Sequence, residues 1–306
     1  MPGVITSGNW PKAVLLGTRK FTRIGYGDGT QECRTIFHEV TSDRAYEEWV
    51  AAQGFGLPQA TAAGAPTPYD SHAQGYTTRL RPIDYRLGFA ITANEVADNL
   101  YPRLMASRGR TFGKSFREME ELLGAAVLNN AFDSNYVWGD GIELCATTHP
   151  STGEGTFANE PAAAVDFDEA AVEDMWVLIK NANDDRGINA NLKPRRLVVP
   201  DELAFDAVRF YESDLQSGNA NNDVNAAKMM KIFPDGVFNY HYLTDADAFF
   251  IQTDLVPDEG LIYLNRQGFR TSRDNEFDTD NMKTKGHMRI AFGAVNPHAI
   301  YGSPGA

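Results

Sequence analysis

Between Leu87 and Phe132 the chain passes from an alternating strand, through a helix-start signal, into a helical stretch far longer than most domains contain. From Ile83 to Ile91 the odd positions are Ile83, Tyr85, Leu87, Phe89 and Ile91, while Asp84 and Arg86 point the other way. That is period-two patterning with one apolar face. Thr92 and Glu95 have the spacing of a capping box, which satisfies the free amides of a first helical turn. Val96 to Phe132 then holds almost nothing strand-like. At 1.5 Å per residue such a helix reaches roughly 50 Å, about twice the usual length or more. It needs several neighbours to cover it, and the rest of the chain is short of dedicated core. The pattern predicts a building element, not a catalytic one.

The long helix is not a uniform amphipath. Val96, Leu100 and Leu104 form one stripe, and Phe112, Phe116, Met119, Leu123 and Val127 form a second, rotated well round from the first. Gly109 and Gly113 lie between them and Pro102 sits near the start, so a kink or break near 105–112 is expected. Arg103, Arg110, Lys114 and Arg117 share another face, which suits either a solvated surface with local pairs such as Arg117–Glu121 or contact with nucleic acid or an acidic neighbouring subunit.

Before the strand, residues 1–50 mix short pieces around Gly25, Gly27 and Gly29 without a sustained core pattern, and read as an arm that must lie on something else. Residues 53–76 are dominated by Gly, Ala, Pro, Thr and Gln, a composition that buries too little apolar surface to order itself. Residues 53–92 therefore read as a long hairpin-like excursion. Pro82 shifts the phase of alternation, for which a bulge or an edge position is the expected reason.

After the helix, Ile142–Cys145 is strand-like and Asp166 with Glu169 caps a helix carrying Val172, Met175, Trp176 and Ile179 on one face. Arg196–Pro200 reads as a buried strand, and Pro200–Glu202 opens a helix through Leu203, Ala207 and Phe210. Phe238–Leu243 and Ala248–Thr253 look like paired strands, and Leu261–Thr271 with Met288–Phe292 looks like a long hairpin around an acidic tip. The class is α+β.

A net charge of −13 over 306 residues argues against a general polyanion binder, without excluding a local basic stripe. The two cysteines, Cys33 and Cys145, form no CxxC and no disulfide framework, which suggests assembly in the cytoplasm. There is no run of about eighteen apolar residues and no charged segment leading into an apolar one at the start, so neither a membrane span nor a classical export signal is expected.

Signatures of chemistry are weak. Gly25, Gly27 and Gly29 lack the Lys-Ser/Thr of a phosphate loop and the spacing of a dinucleotide turn. No Gly-x-Ser-x-Gly or His-Glu-x-x-His occurs, and His38, His72, His149, His241, His287 and His298 are scattered without ligand spacing. His149, between Thr148 and Pro150, reads as a hydrogen-bonding loop residue. Asp274, Glu276, Asp278 and Asp280 alternate like a calcium loop but lack its Gly and distal Glu, so they read as a solvated hairpin tip. No catalytic, cofactor-binding or metal-ligating residue is assigned.

The order of these pieces resembles the major capsid proteins of tailed bacteriophages with the Hong Kong 97-type fold, most closely the Mu-like major head subunit group. Resemblance rests on Gly88–Thr92, then Asp140, Gly141 and Thr148–Pro150, then Lys193–Pro200 with the helix Asp201–Ser213. It continues through Ala248–Gln252, Phe277–Asn281, Arg289 with Gly293, and Ile300–Gly302. It implies an N-terminal arm (1–52), an E-loop (53–92), a P-domain with the spine helix (93–160), an A-domain (161–253), a P-domain hairpin (254–292) and a returning C-terminal strand (293–306). It also implies hexamers and pentamers in an icosahedral shell around packaged double-stranded DNA bound without sequence preference, a portal, and room for a decoration protein. The amino end opens directly on the arm, so a separate scaffold protein is expected. No lysine occurs between Lys20 and Lys114, so the E-loop has none for the isopeptide cross-link some relatives make; Arg79, Arg81 and Arg86 are expected to reach acidic residues of an adjacent subunit instead. The location implied is the virion, assembled in the host cytoplasm. An encapsulin-like compartment shell of the same fold is the nearest alternative, and a hydrolase with a scattered active site is the alternative from another class.

Overall fold

A computed structural model describes residues 20–92, 94, 101–153, 155–216, 223–276 and 281–306, with the side chains of 101–106 and 275 outside the description. Residues 20–27 are helical and lead into a short helix α1 (Cys33–Ile36). Strands β1 (His38–Thr41), β2 (Glu47–Ala52), β3 (Gln74–Leu80) and β4 (Ile83–Ile91) follow, then the long helix α2 (Tyr101–Asn129). Next come β5 (His149–Pro150), β6 (Thr156–Phe157), α3 (Glu169–Lys180), β7 (Pro194–Val199), α4 (Ala204–Glu212), α5 (Ala226–Met230), β8 (Val237–Asn239) and β9 (Phe249–Thr253). The chain closes with β10 (Leu261–Asn275), β11 (Met282–Ala294) and β12 (Ile300–Ser303).

Two four-stranded sheets organise these elements. The first has the order β1-β10-β11-β4 and the second β12-β9-β7-β8, while β2 and β3 form a separate two-stranded ribbon. Helix α2 packs on the first sheet because Phe112 and Phe116 fall one turn apart on its inner face. The Phe116 ring meets Phe269 at 4.6 Å between centroids, and Gly286 of β11 leaves the hollow that receives it. Helices α3 and α4 cover the second sheet through Val172, Met175, Ile179 and Phe210, which meet the buried Leu197 and Ile251. The hairpin read from Leu261 to Phe292 is the β10–β11 pair, closed by Glu276 N–H donating to the Asn281 carbonyl at 2.9 Å.

Several expectations change. The strands at 238–243 and 248–253 do not pair with each other; β7 lies between β8 and β9, parallel to one and antiparallel to the other. Leu197, Val198 and Val199 are fully buried, so β7 needs partners on both edges, and the central place satisfies it. Residues 1–50 are not wholly an external arm: Cys33, Ile36 and Phe37 are buried in the chain's own core, and β1 runs parallel to β10. The excursion is the β2–β3 ribbon from Glu47 to Leu80, whereas β4 belongs to the first sheet. The phase change at Pro82 is the corner between ribbon and sheet rather than a bulge. Leu80 points into a core with Ile262 and Leu264, while Ile83 starts a new pairing.

Helix α2 runs unbroken from Tyr101 to Asn129, through the expected break at 105–112. Its glycines serve a crossing instead. A Cβ on Gly113 would stand 2.2 Å from the Thr22 carbonyl oxygen, and one on Gly25 would stand 2.1 Å from that of Arg110. Helical segment 20–27 therefore packs backbone to backbone on α2, which no larger residue permits. Ile142–Cys145 forms no strand; Leu144 and Cys145 are simply buried. The cap of α3 is Asp168, which accepts from Ala171 N–H at 2.6 Å, and not Asp166. Glu95 of the expected capping box, the stripe residues Val96 and Leu100, and Asp278 and Asp280 lie outside the described residues, as does the Leu104 side chain.

Candidate functional site

The inner face of α2 carries carboxylates among its aromatic rings. Glu120 follows Phe116 by one turn and is fully buried. It accepts from the Tyr26 hydroxyl at 2.8 Å, the Tyr263 hydroxyl at 2.8 Å and Gln31 Nε2 at 2.7 Å, with Arg34 at 3.8 Å. Burial pushes its carboxyl above the ordinary value, opposed by the hydrogen bonds from Tyr26 and Tyr263 and by the charge of Arg34. Glu121 accepts from Glu32 N–H at 2.9 Å and Cys33 N–H at 2.8 Å, and so caps α1. Glu118 accepts from the Tyr242 hydroxyl at 2.6 Å and pairs with Arg117 at 3.0 Å. One helix thus fixes the 20–36 segment and the second sheet with three neighbouring glutamates. Sequence reasoning missed them, although Glu120 at four residues from Phe116 was the available signal.

The basic stripe does not act as a unit. The Arg103 side chain lies outside the described residues, Arg110 sits 5.9 Å over the Phe21 ring, and Arg117 turns to Glu118 rather than Glu121. Lys114 is exposed. The arginines around the excursion also find partners within the chain. Arg79 pairs with Glu48 at 2.5 Å and lies over Tyr46, while Asp84 gathers Arg86 at 3.1 Å, His287 at 3.3 Å and Arg289 at 3.5 Å. Arg81 is exposed.

His149 is buried and hydrogen-bonded at both nitrogens, to Asp140 at 2.6 Å and Asn159 Oδ1 at 3.0 Å. Asn159 Nδ2 donates to the carbonyls of Leu144, Pro297 and Ile300, which fixes its orientation and makes His149 Nε2 the donor to Oδ1. This knot ties the segment after α2 to the C-terminal strand. His298 stacks on Phe157 at 4.0 Å, and burial, followed by the nearby His149, lowers its pKa to about 4. His38 pairs with Asp258, and His241 with Asp201 at 2.5 Å on the surface. Among the described residues no three His, Cys, Asp or Glu side chains stand together as metal ligands, and no helix is long and apolar enough to cross a membrane.

The distinctive surface is apolar and divided into patches. The ribbon's outer loop exposes Phe55, Leu57 and Tyr69, the last at 95%. On β4, Ile83 and Leu87 are half exposed although they belong to the alternating apolar face. On α4 and α5, Phe205, Val208, Met229 and Met230 face outward. Such patches mark surfaces that other protein covers.

The profile of the phage capsid protein family matches residues 75–303. The chain belongs to the phage capsid protein family. Solved structures share the fold at low identity. The capsid of a native GTA particle aligns with a TM-score of 0.55 at 13% identity, covering 89% of each chain. Mycobacterium phage Patience aligns at 0.54 and 11%, covering 95% of this chain and 88% of that one. The holo-SrpI encapsulin complex from Synechococcus elongatus aligns at 0.53 and 6%, covering 90% and 88%. No curated protein matches the sequence. The capsid protein thus has the mixed helix-and-sheet Hong Kong 97-type fold, with α2 as its long helix, and its role is to form a shell of many copies.

Proposed function

We propose that this capsid protein is the major head subunit of a tailed phage, assembling into hexamers and pentamers of an icosahedral shell around double-stranded DNA. The observation that carries the reading is the set of separate exposed apolar patches on the ribbon loop, β4 and α4–α5. A lone subunit leaves these surfaces wet, and overlap with neighbours buries them, so assembly supplies stability that the single chain lacks. In this reading the β2–β3 ribbon is the E-loop, the first sheet with α2 is the P-domain, and the second sheet with α3–α5 is the A-domain. The acidic balance suits a wall that does not grip packaged DNA tightly. Assembly takes place in the host cytoplasm around a portal, and its work is geometric rather than catalytic.

Expression of the chain with its genomic neighbours, followed by electron microscopy, tests the reading: closed particles of uniform diameter are expected, and soluble monomers under every condition would overturn it. The likeness to an encapsulin supports a second reading, a compartment shell around protein cargo. Absorbance of purified particles separates the two, since packaged DNA gives a maximum near 260 nm, whereas a protein-filled shell absorbs as protein.

A further inference from the structure

The 53–73 loop leaves the end of the β2–β3 ribbon through a neck, and one side chain holds both of its limbs. Arg186 donates through Nε to the Gly54 carbonyl at 3.0 Å on the outgoing limb of the loop. Through Nη2 it donates to the Ser71 carbonyl and reaches Asp70 at 3.4 Å on the returning limb. Asp70 crosses back to accept from Gly56 N–H at 2.7 Å, and Gln53 N–H donates to the Ala73 carbonyl at 3.0 Å. Backbone amides of Gly56 and Ser71, then Arg186, hold the Asp70 carboxyl below the usual range.

Arg186 is itself on a stiff mount. Asp184 accepts from the amides of Arg186 and Ile188, both at 2.9 Å, and Asn183 bridges to Asn189. The adjacent Asp185 accepts from Ser151 Oγ at 2.9 Å and Thr152 N–H at 3.0 Å, so the 182–190 turn is bolted to the segment after α2. The rigid, planar guanidinium fork reaches three acceptors on the two limbs of the loop at once, from nitrogens spaced more widely than the single nitrogen of an ammonium allows.

We propose that Arg186 is a positioning residue that sets the direction in which the 53–73 loop leaves the subunit, and thereby the curvature at which neighbouring subunits meet. The inference rests on the shell reading above, because a direction matters only if the loop reaches another copy.

Chymotrypsin cleavage at Phe55 and Tyr69 of the unassembled subunit measures the latch, and electron microscopy of particles measures its consequence. Arg186→Ala is expected to raise the cleavage rate about tenfold with an unchanged melting temperature, and to give particles of mixed diameter. Arg186→Lys, with one donor head in place of the fork, should fall between Ala and the wild type in both assays. Asp70→Asn, which keeps the carbonyl acceptors, should give a smaller rise and carries the comparison if Arg186→Ala folds poorly. Unchanged cleavage in Arg186→Ala, or faster cleavage with particles as uniform as wild type, would overturn the proposal. Failure of the wild type to form particles would instead sink the shell reading, while the cleavage comparison would still decide whether Arg186 holds the loop.

Discussion

Phe116 and Gly286 form one fitted contact, and the two positions make opposite demands on volume. Phe116 is 3% exposed, lies 4.6 Å from Phe269 and 5.4 Å from Phe112, and sits directly over Gly286. Phe116→Ala empties this space and is expected to cost roughly 3–5 kcal/mol. Gly286→Ala places a methyl 2.6 and 2.7 Å from two carbons of the Phe116 ring and 3.0 Å from Phe112. Both rings are enclosed by the sheet, so the methyl forces strain of about 1–3 kcal/mol. In the Phe116→Ala background the two closest contacts are gone, the Phe112 ring at 3.0 Å has the vacated space to yield into, and the loss of a flexible glycine from a strand then helps by up to about 1 kcal/mol. The substitution Gly286→Ala therefore changes sign between backgrounds, a coupling of roughly 1–4 kcal/mol. Urea unfolding of the unassembled subunit, followed by tryptophan fluorescence, measures all four corners of the cycle. Effects that add to within about 0.5 kcal/mol would refute the fit of ring to glycine.

Gly113→Ala drives a methyl against the Thr22 carbonyl and the Tyr26 amide, so segment 20–27 must lift away from α2; tryptic cleavage at Arg23 should accelerate, with a loss of about 1–3 kcal/mol. His298 is held neutral in the folded state, with a pKa near 4 against 6.5 in an unfolded chain. The unfolded state therefore gains the proton first, and stability present above pH 6.5 is lost as pH falls toward 4, by up to roughly 3 kcal/mol. A urea-midpoint profile should flatten over that window in His298→Gln, and an unchanged slope would count against a buried neutral imidazole. Particles boiled in detergent should run as a single band near 33.8 kDa, because no lysine lies between Lys20 and Lys114 to join neighbouring loops. A ladder of covalent oligomers surviving boiling and reductant would point to a lysine elsewhere.

Local periodicity made much of this capsid protein legible in advance. Spacing alone located α2, the alternation of β4, the β10–β11 hairpin and the inner face of α3, because each depends on which side of an element is apolar. The Gly, Ala and Pro content of 53–76 marked a segment without a core of its own, and 53–73 indeed carries no regular strand or helix. Pairing between distant segments was not written in any window. His38 of β1 aligns with Ile262 of β10, and β7 separates two strands whose closeness in sequence suggested a hairpin. The glycines of α2 read as a break until segment 20–27 lay across them.

The same division holds for function. The sequence by itself determined the building elements, the acidic charge and the absence of a lysine between Lys20 and Lys114. Tertiary structure alone decided that Glu120 and Glu121 fasten segment 20–36, that Asp140, His149 and Asn159 form a closed knot, and that Arg186 reaches the two limbs of the 53–73 loop. The reason is physical. An apolar face declares itself by repetition along one element, whereas a buried carboxylate or a bridging guanidinium has meaning only through donors and acceptors brought from remote parts of the chain.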